Sequence, residues 1–319
     1  MNKVLISDKM SDIAPKVLDD YSDIQYDVKI GLSEDELIAI IGEYDGLMVR
    51  SATKVTPKVF AAAKKLKIIA RAGTGVDNIN RDAANENGTY ITNTPGGNTV
   101  TTAEHAIAMM MAMTRNIPQG TMTLKTGEWA KAALQGREVF RKTLGVIGFG
   151  QIGRIVADRA RGLKMNVLGF DLYPDPAAAG LVGATMVDMD TLLSESDYIT
   201  IHLNKTPATT GIINKDVFAK MKKGVFLMQC SRGGIVDEDA LFDALQDGTV
   251  AGAALDVFAT EPPGEHKLLT LPNVIATPHL GASTQEAQDN VAIAAASQVA
   301  DYLTKGELRN ALNASDINK

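Results

Sequence analysis

Apolar and polar positions follow two rhythms along the first hundred residues. Short apolar runs at Val4–Ser7, Tyr26–Ile30, Gly46–Val49, Lys67–Ala70 and Thr89–Thr92 read as strands. Between them, Ala14–Asp20, Glu34–Ile41, Pro57–Lys64 and Arg81–Glu86 carry the wider spacing of helices. Continuous apolar strands alternating with helices predict a parallel sheet covered on both faces. Thr56-Pro57 suits a helix start, because proline in the first turn loses no needed hydrogen bond. A second series begins after Thr94-Pro95-Gly96-Gly97-Asn98. It has a long helix over Val100–Met113, limited by Pro118, and strands at Thr143–Ile147, Asn166–Phe170, Tyr198–Ile201, Val225–Met228, Gly252–Leu255 and Val274–Ala276. Helices fit Ile152–Ala160, Met189–Leu193, Lys215–Met221, Glu238–Gln246 and, at the end, an alanine-rich Thr284–Thr304.

A length of 319 residues suggests two domains, and 45% hydrophobic with 22% charged residues excludes disorder as a description of the whole. The net charge of −6 argues against a general nucleic-acid binder. One cysteine, Cys230, rules out an internal disulfide and fits a reducing compartment, the cytoplasm. The N-terminus reaches Asp8 too early for a signal-peptide apolar region, and the apolar stretch Ala103–Met113 is too short for a bilayer, so no membrane partner is expected. Its methionines, Met109, Met110, Met111 and Met113, cover more than one helix face and leave open packing between domains or against a second subunit.

The main chemical signal is Gly148-x-Gly150-x-x-Gly153, which follows an apolar strand and opens a helical pattern. Gly148 permits a tight turn, Gly150 lets backbone approach a pyrophosphate, and Gly153 lets helix pack against strand. The helix N-terminus offers unpaired N–H groups to the anion. Asp171 ends the next strand, where a carboxylate accepts hydrogen bonds from the adenosine ribose. It would repel the 2′-phosphate of NADP, and no lysine or arginine lies between Met165 and Asn204 to compensate, so NAD is the expected cofactor.

Three further segments each follow a strand: Gln229-Cys230-Ser231-Arg232-Gly233-Gly234, Asp256 to Pro262, and Thr277-Pro278-His279-Leu280-Gly281. Ligands of open α/β sheets bind at the strands' C-terminal ends. Taken singly, Arg232 reads as a surface ion, Glu261 as the start of a proline turn and His279 as a helix-entry residue. Together they supply an anion clamp, a carboxylate partner and a proton carrier.

With these segments, Val49-Arg50-Ser51-Ala52-Thr53, Arg71-Ala72-Gly73-Thr74-Gly75-Val76-Asp77-Asn78 and Ser231-Arg232-Gly233-Gly234-Ile235-Val236-Asp237-Glu238, the chain resembles the D-isomer-specific 2-hydroxyacid dehydrogenases over nearly its whole length. The resemblance implies an α/β fold of two doubly wound parallel-sheet domains. A Rossmann NAD-binding domain, residues 97–286, is inserted into a flavodoxin-like substrate domain, residues 1–96 plus 287–319, with substrate in the cleft and a homodimer formed through the NAD domain. It implies that His279 moves the 2-hydroxyl proton, Glu261 orients the imidazole, and Arg232 binds the substrate carboxylate. Gln151 and Ile152 are implied at the pyrophosphate, His202 and Leu203 along the adenine side, Gln229, Cys230 and Ser231 at the nicotinamide, Asp256 on its carboxamide, Gly281 beside the cofactor and Thr74 reaching it from the other domain. Cys230 otherwise reads as a small packing residue, His105 as structural and His266 as a loop residue remote from the chemistry. No metal is expected.

For the substrate, a 2-hydroxy or 2-oxo acid, the backbone of Gly73, Thr74 and Gly75 would take the carboxylate with Arg232. Arg50, Ser51 and Arg71 would take a phosphate, since arginine matches phosphate with paired hydrogen bonds. Lys131, after Trp129, reads either as added cleft charge or as a solvent-facing lysine. Two positions depart from the family pattern: Gln229 stands for asparagine, and Asn204 for proline. A non-phosphorylated acid, as in glyoxylate and hydroxypyruvate reductases, gives less reason for both Arg50 and Arg71. An NAD-responsive corepressor on the same fold stays open, since such proteins retain the Arg–Glu–His set. Because the chain ends soon after the last helix, the ACT regulatory domain of longer members, and inhibition by serine through it, are not expected.

Overall fold

The computed structural model describes residues 1–317. It divides into two compact units, Met1–Asn98 with the chain from Ser283 onward, and Thr99–Ala282.

The first unit is built on β1 (Asn2–Ile6), β2 (Ile24–Val28), β3 (Gly46–Val49), β4 (Ile68–Arg71) and β5 (Tyr90–Thr92). All pair in parallel in the order β2-β1-β3-β4-β5, the flavodoxin-like arrangement. Successive side chains of a strand point to opposite faces, and both faces are buried. Val4, Ile6, Met48, Ile68 and Ala70 pack with Ala14 and Leu18 and with Val291, Ala292, Ala295, Ala296 and Val299 of the final helix, Gln285–Lys305. Leu5, Leu47, Val49 and Ile69 face Leu37, Val59 and Ala83 from the helices Glu34–Ile41, Pro57–Ala62 and Arg81–Asn87. Burial on both sides is why β3 and β4 read as apolar runs, whereas the edge strand β2, exposed at Gln25 and Val28, carries polar residues.

The second unit contains β6 (Thr143–Ile147), β7 (Asn166–Phe170), β8 (Thr185–Met186), β9 (Tyr198–Ile201), β10 (Val225–Gln229), β11 (Val250–Leu255) and β12 (Val274–Ala276). The sheet is again all parallel, ordered β12-β11-β10-β9-β6-β7-β8. The direction of winding reverses between β6 and β9, which opens a crevice at their C-terminal ends, as in dinucleotide-binding sheets. Ile147, Ile199, Ile201, Leu227 and Leu255 make one core with the helices Lys215–Lys220 and Glu238–Gln246. Leu144, Val146, Met228 and Ala254 make the other with Thr99–Thr114 and Gln151–Gly162.

The apolar helix is buried, and the packing of its methionines, open in the sequence between a domain contact and a second subunit, is a third one. Met109, Met110 and Met113 are buried in that second core, with Met111 packed at its margin, because the Thr99–Thr114 helix lies against the sheet of its own unit. The next helix, Ile117–Lys125, buries none of its residues and exposes Ile117, Met122 and Leu124. Its separation follows from Asn116, whose backbone is left-handed (φ 52°). Pro118 therefore sits in the first turn of a new helix, where its missing N–H costs nothing. Four other short elements went unread: the helices Pro176–Leu181 and Ala314–Ile317, the strand β8 and the 3₁₀ turn Lys267–Thr270. Each is six residues or fewer, too short for a hydrophobic period to show.

The glycine loop after β6 is tight because backbone meets backbone. A Cβ on Gly153 would lie 2.2 Å from the carbonyl oxygen of Gly148, so helix and strand approach as only glycine allows. Gly148 is left-handed (φ 93°), and a Cβ there would meet the backbone of His202 at 2.6 Å. His202, just past β9, is partly buried, with Nε2 2.9 Å from the Thr200 hydroxyl and a buried Nδ1 that has no hydrogen-bond partner in the protein. Burial pushes its pKa down to about 4.

Two stability measurements follow. Alanine normally stabilises a helix by about 1 kcal/mol relative to glycine, but Gly153→Ala should destabilise by about 1–3 kcal/mol through overpacking; a raised melting temperature would contradict the packing. The unfolded His202 takes up a proton near pH 6.5, the folded one only at about 4. Stability therefore falls as pH is lowered through this window, by roughly 3 kcal/mol in all. Urea titrations near pH 7 and about pH 4.5 should show a shallower pH dependence in His202→Asn than in the wild type; equal slopes would refute burial as the cause.

Candidate active site

In the second unit Gly148, Gly150, Gln151, Ile152 and Gly153 follow β6, Asp171 follows β7, and His202 and Leu203 follow β9, while the other cofactor candidates, Gln229, Cys230, Ser231, Asp256 and Gly281, lie at or past the ends of β10, β11 and β12. Gly150 caps the helix Gln151–Gly162, and a Cβ on it would meet nothing within 4 Å, so its backbone faces open space. Gln151 and Ile152 form the first turn, beside free helix N–H groups. Asp171 accepts the N–H groups of Phe149 (2.7 Å) and Tyr173 (2.9 Å), tying the glycine loop to the end of β7 while its oxygens keep lone pairs for further donors. The open glycine backbone, helix terminus and carboxylate together fit NAD. One neighbour was invisible in the sequence window: Arg154, from the helix, bonds Phe149 O (3.1 Å) and Asp175 (3.0 Å) near this carboxylate.

Three loops after β10, β11 and β12 present the catalytic candidates. After β10, the buried Gln229 accepts the N–H (3.3 Å) and hydroxyl (2.8 Å) of Ser231 and donates to Arg232 O (3.0 Å). Gln229, the departure from asparagine, thus shapes the turn that carries Arg232. Arg232 Nη1 donates to Ser231 O at 2.8 Å. At Gly233 a Cβ would sit 1.7 Å from Phe258 O, so the loops after β10 and β11 touch main chain to main chain. Leu203 lies buried beside His202. Cys230 is buried, and its burial, with Asp256 nearby, pushes the thiol pKa up, away from any thiolate role.

Glu261 Oε1 accepts Phe258 N–H at 3.1 Å, and Oε2 lies 2.7 Å from His279 Nδ1. A carboxylate only accepts, so Nδ1 carries the hydrogen and Nε2 keeps its lone pair. His279 has left-handed backbone (φ 54°), which a residue with a Cβ adopts at some cost. Its conformation is held by Asp256, whose carboxylate accepts Leu280 N–H (2.7 Å), Gly281 N–H (2.8 Å) and the Thr277 hydroxyl (2.6 Å), with His105 Nε2 at 3.2 Å. Burial works to raise the pKa of Asp256; the hydrogen bonds from His105, Thr277 and Leu280 outweigh it and hold the carboxyl below its ordinary range. Asp256 is therefore largely engaged by its own chain, with Oδ2 the oxygen that has capacity for a carboxamide.

Sequence reasoning also passed over Glu238 and His266. His266 Nδ1 accepts Leu268 N–H (3.3 Å), so Nε2 is the donor to Glu238 Oε2 (3.1 Å). Glu238 Oε1 accepts Ala259 N–H (2.6 Å), and His266 meets Phe258 edge-on. This pair braces the loop that carries Glu261. Lys131 is exposed beside the exposed Trp129.

In the first unit, Arg50, Ser51 and Arg71 follow β3 and end β4. Asp8 Oδ2 accepts Arg50 N–H (2.6 Å), Asn78 donates to Arg50 O (2.8 Å), and Arg50 Nε is buried without a hydrogen-bond partner in the protein. Burial lowers the pKa of Arg50 against the pull of Asp8, and a guanidinium stays charged even so. Ser51 is exposed. A Cβ on Gly73 (φ 150°) would meet Arg71 Nη1 at 2.1 Å, so the Arg71 side chain folds back against Gly73. Thr74 donates its hydroxyl to Asn98 Oδ1 at 2.7 Å.

Comparison with known proteins bears on this arrangement. The family described as D-isomer specific 2-hydroxyacid dehydrogenase, NAD binding domain, matches residues 107–281. A D-3-phosphoglycerate dehydrogenase of Synechocystis is 49% identical over 98% of this chain and 56% of its own length. One of Archaeoglobus fulgidus is 46% identical over 99% of this chain and 60% of its own. The chain thus spans somewhat more than half the length of these curated relatives. A glyoxylate reductase from Paecilomyes thermophila superposes with a TM-score of 0.89 at 29% identity, covering 98% of each chain. An NAD-dependent formate dehydrogenase from Staphylococcus aureus, solved in complex with NAD, superposes with a TM-score of 0.84 at 27% identity over 97% of this chain and 98% of its own. With its glycine loop, its Glu261–His279 pair and its two parallel sheets, the chain belongs to the D-isomer specific 2-hydroxyacid dehydrogenase family.

Proposed function

We propose that the protein is an NAD-dependent D-3-phosphoglycerate dehydrogenase, interconverting 3-phosphoglycerate and phosphohydroxypyruvate on the route to L-serine. The observation that carries the chemistry is the 2.7 Å contact of His279 Nδ1 with Glu261. The identity of 44–49% to phosphoglycerate dehydrogenases supports the substrate.

Gly148, Gly150, Gly153, Gln151, Ile152 and Asp171 would hold NAD. When bound, NAD supplies the hydride acceptor for carbon 2 of the substrate. In oxidation, His279 Nε2 takes the proton of the 2-hydroxyl, and in reduction it returns it. Glu261 keeps Nδ1 protonated and stabilises the imidazolium that forms. Arg232 pairs its planar donors with the substrate carboxylate. Arg50, Ser51 and Arg71 are the proposed phosphate ligands, with Gly73, Thr74 and Gly75 as backbone donors and Thr74 also reaching the cofactor; the buried Arg50 Nε supports a role for that arginine in anion binding. Residues 1–96 plus 287–319 form the substrate domain of this proposal, and 97–286 the NAD domain. A homodimer is supported by Ile117, Met122, Leu124 and Trp129, apolar and exposed on one stretch of the second unit. A cytoplasmic setting is supported by the one cysteine being a free thiol.

NADH absorbance with a panel of D-2-hydroxy and 2-oxo acids tests the substrate: turnover of 3-phosphoglycerate and phosphohydroxypyruvate is expected, and their failure beside brisk turnover of glyoxylate or hydroxypyruvate would move the protein to a reductase. His279→Ala should lower kcat by roughly 10²–10⁴-fold; intact turnover would remove His279 from the mechanism. Asp171→Ala should narrow the preference for NAD over NADP, and a preference that stays the same would take Asp171 out of cofactor selection.

A further inference from the structure

We infer that His105 is a positioning residue for the reaction, acting on His279 through Asp256; this rests on the reading of His279 as proton carrier. The left-handed turn at His279 is pinned by its own N–H to Thr277 O (3.0 Å) and by the next two N–H groups, Leu280 and Gly281, which both end on the Asp256 carboxylate. Where that carboxylate sits decides where the imidazole is presented. Main-chain bonds from Thr277 N–H to Leu255 O (3.0 Å) and from Asp256 N–H to Gln229 O (2.9 Å) tie the turn to the sheet. His105 adds a side-chain donor to the carboxylate from the helix layer: it projects from the Thr99–Thr114 helix, one turn beyond Thr102, over which Gly281 packs.

The proton inventory sets its role. The Thr277 hydroxyl has one hydrogen, which goes to Asp256 Oδ1 at 2.6 Å. Thr277 Oγ1 therefore accepts from His105 Nε2 at 3.1 Å, and the same N–H points at Asp256 Oδ1 at 3.2 Å. His105 Nε2–H bridges both anchors of the turn, and its helix is itself immobilised by Met109, Met110 and Met113 in the core. The side chain touches no reacting atom; it fastens the loop to a rigid element, and small displacements of a catalytic base are costly.

The test compares His105→Leu with His105→Gln, whose amide nitrogen can replace the Nε2 donor. The leucine variant should lose kcat by roughly 10- to 100-fold with KM for NAD changed by less than about threefold; the glutamine variant should recover most of that loss. Wild-type kcat in the leucine variant, or a glutamine variant no better than leucine, would overturn the role. If the leucine variant does not fold, His105→Asn against His105→Gln decides: the longer glutamine reaches the carboxylate and should hold kcat, the shorter asparagine should lose it, and equal values would overturn the role. His279→Ala runs beside them. If it remains active, the reading of His279 fails; if it is inactive while His105→Leu turns over normally, only the role of His105 fails.

Discussion

Parallel pairing is the constraint on which everything else in the second unit depends. Once β6, β7, β9, β10, β11 and β12 all run the same way, their C-terminal ends share one edge. The chain can return only through helices on the two faces, and those helices need continuous apolar strands beneath them. The glycine loop, Arg232, Glu261 and His279 are far apart in sequence, yet all lie just past strand ends. Chemistry accumulates at that edge because backbone N–H and C=O groups there have no ladder partner and must be served by side chains, turns or ligands.

Most of this was legible in the sequence. Strands buried on both faces announce themselves as apolar runs, and the glycines of the β6 loop are required by approaches of 2.2 and 2.6 Å that no other residue tolerates. The candidates Arg232, Glu261 and His279 could be picked out because each sits in a segment that follows an apolar strand and together they supply an anion clamp, a carboxylate partner and a proton carrier. What the sequence did not disclose were partnerships made between distant elements. His105 looked like a polar intruder in an apolar helix. His266 looked like an exposed loop residue, although it braces the loop of Glu261 through Glu238. Neither has a neighbour in sequence that hints at its partner. The methionines misled for a related reason: thioethers suit an interface and a core equally well, and only the course of the Thr99–Thr114 helix across its sheet separates the two.

The two carboxylates beside the proton carrier do different work because their surroundings differ. Glu261 is partly exposed and spends one oxygen on its own loop and the other on the imidazole. Asp256 is buried, and a buried charge is tolerated only when its oxygens are satisfied. Its donors are drawn from the turn that must be shaped, so the cost of burying the charge and the cost of holding His279 left-handed are met by the same hydrogen bonds.

The contact of Gly233 with Phe258 O carries a consequence for how such proteins diverge. The obstruction at that point is main chain, so no change of side chain at position 258 could make room for a larger residue at 233. The loops bearing Arg232 and Glu261 are therefore locked in step: one cannot be re-angled for a differently shaped acid unless the other is rebuilt with it. New specificity is more accessible through side chains that line the substrate from elsewhere, and the spacing between the arginine and the imidazole–carboxylate pair is left as the part of the molecule least open to gradual change.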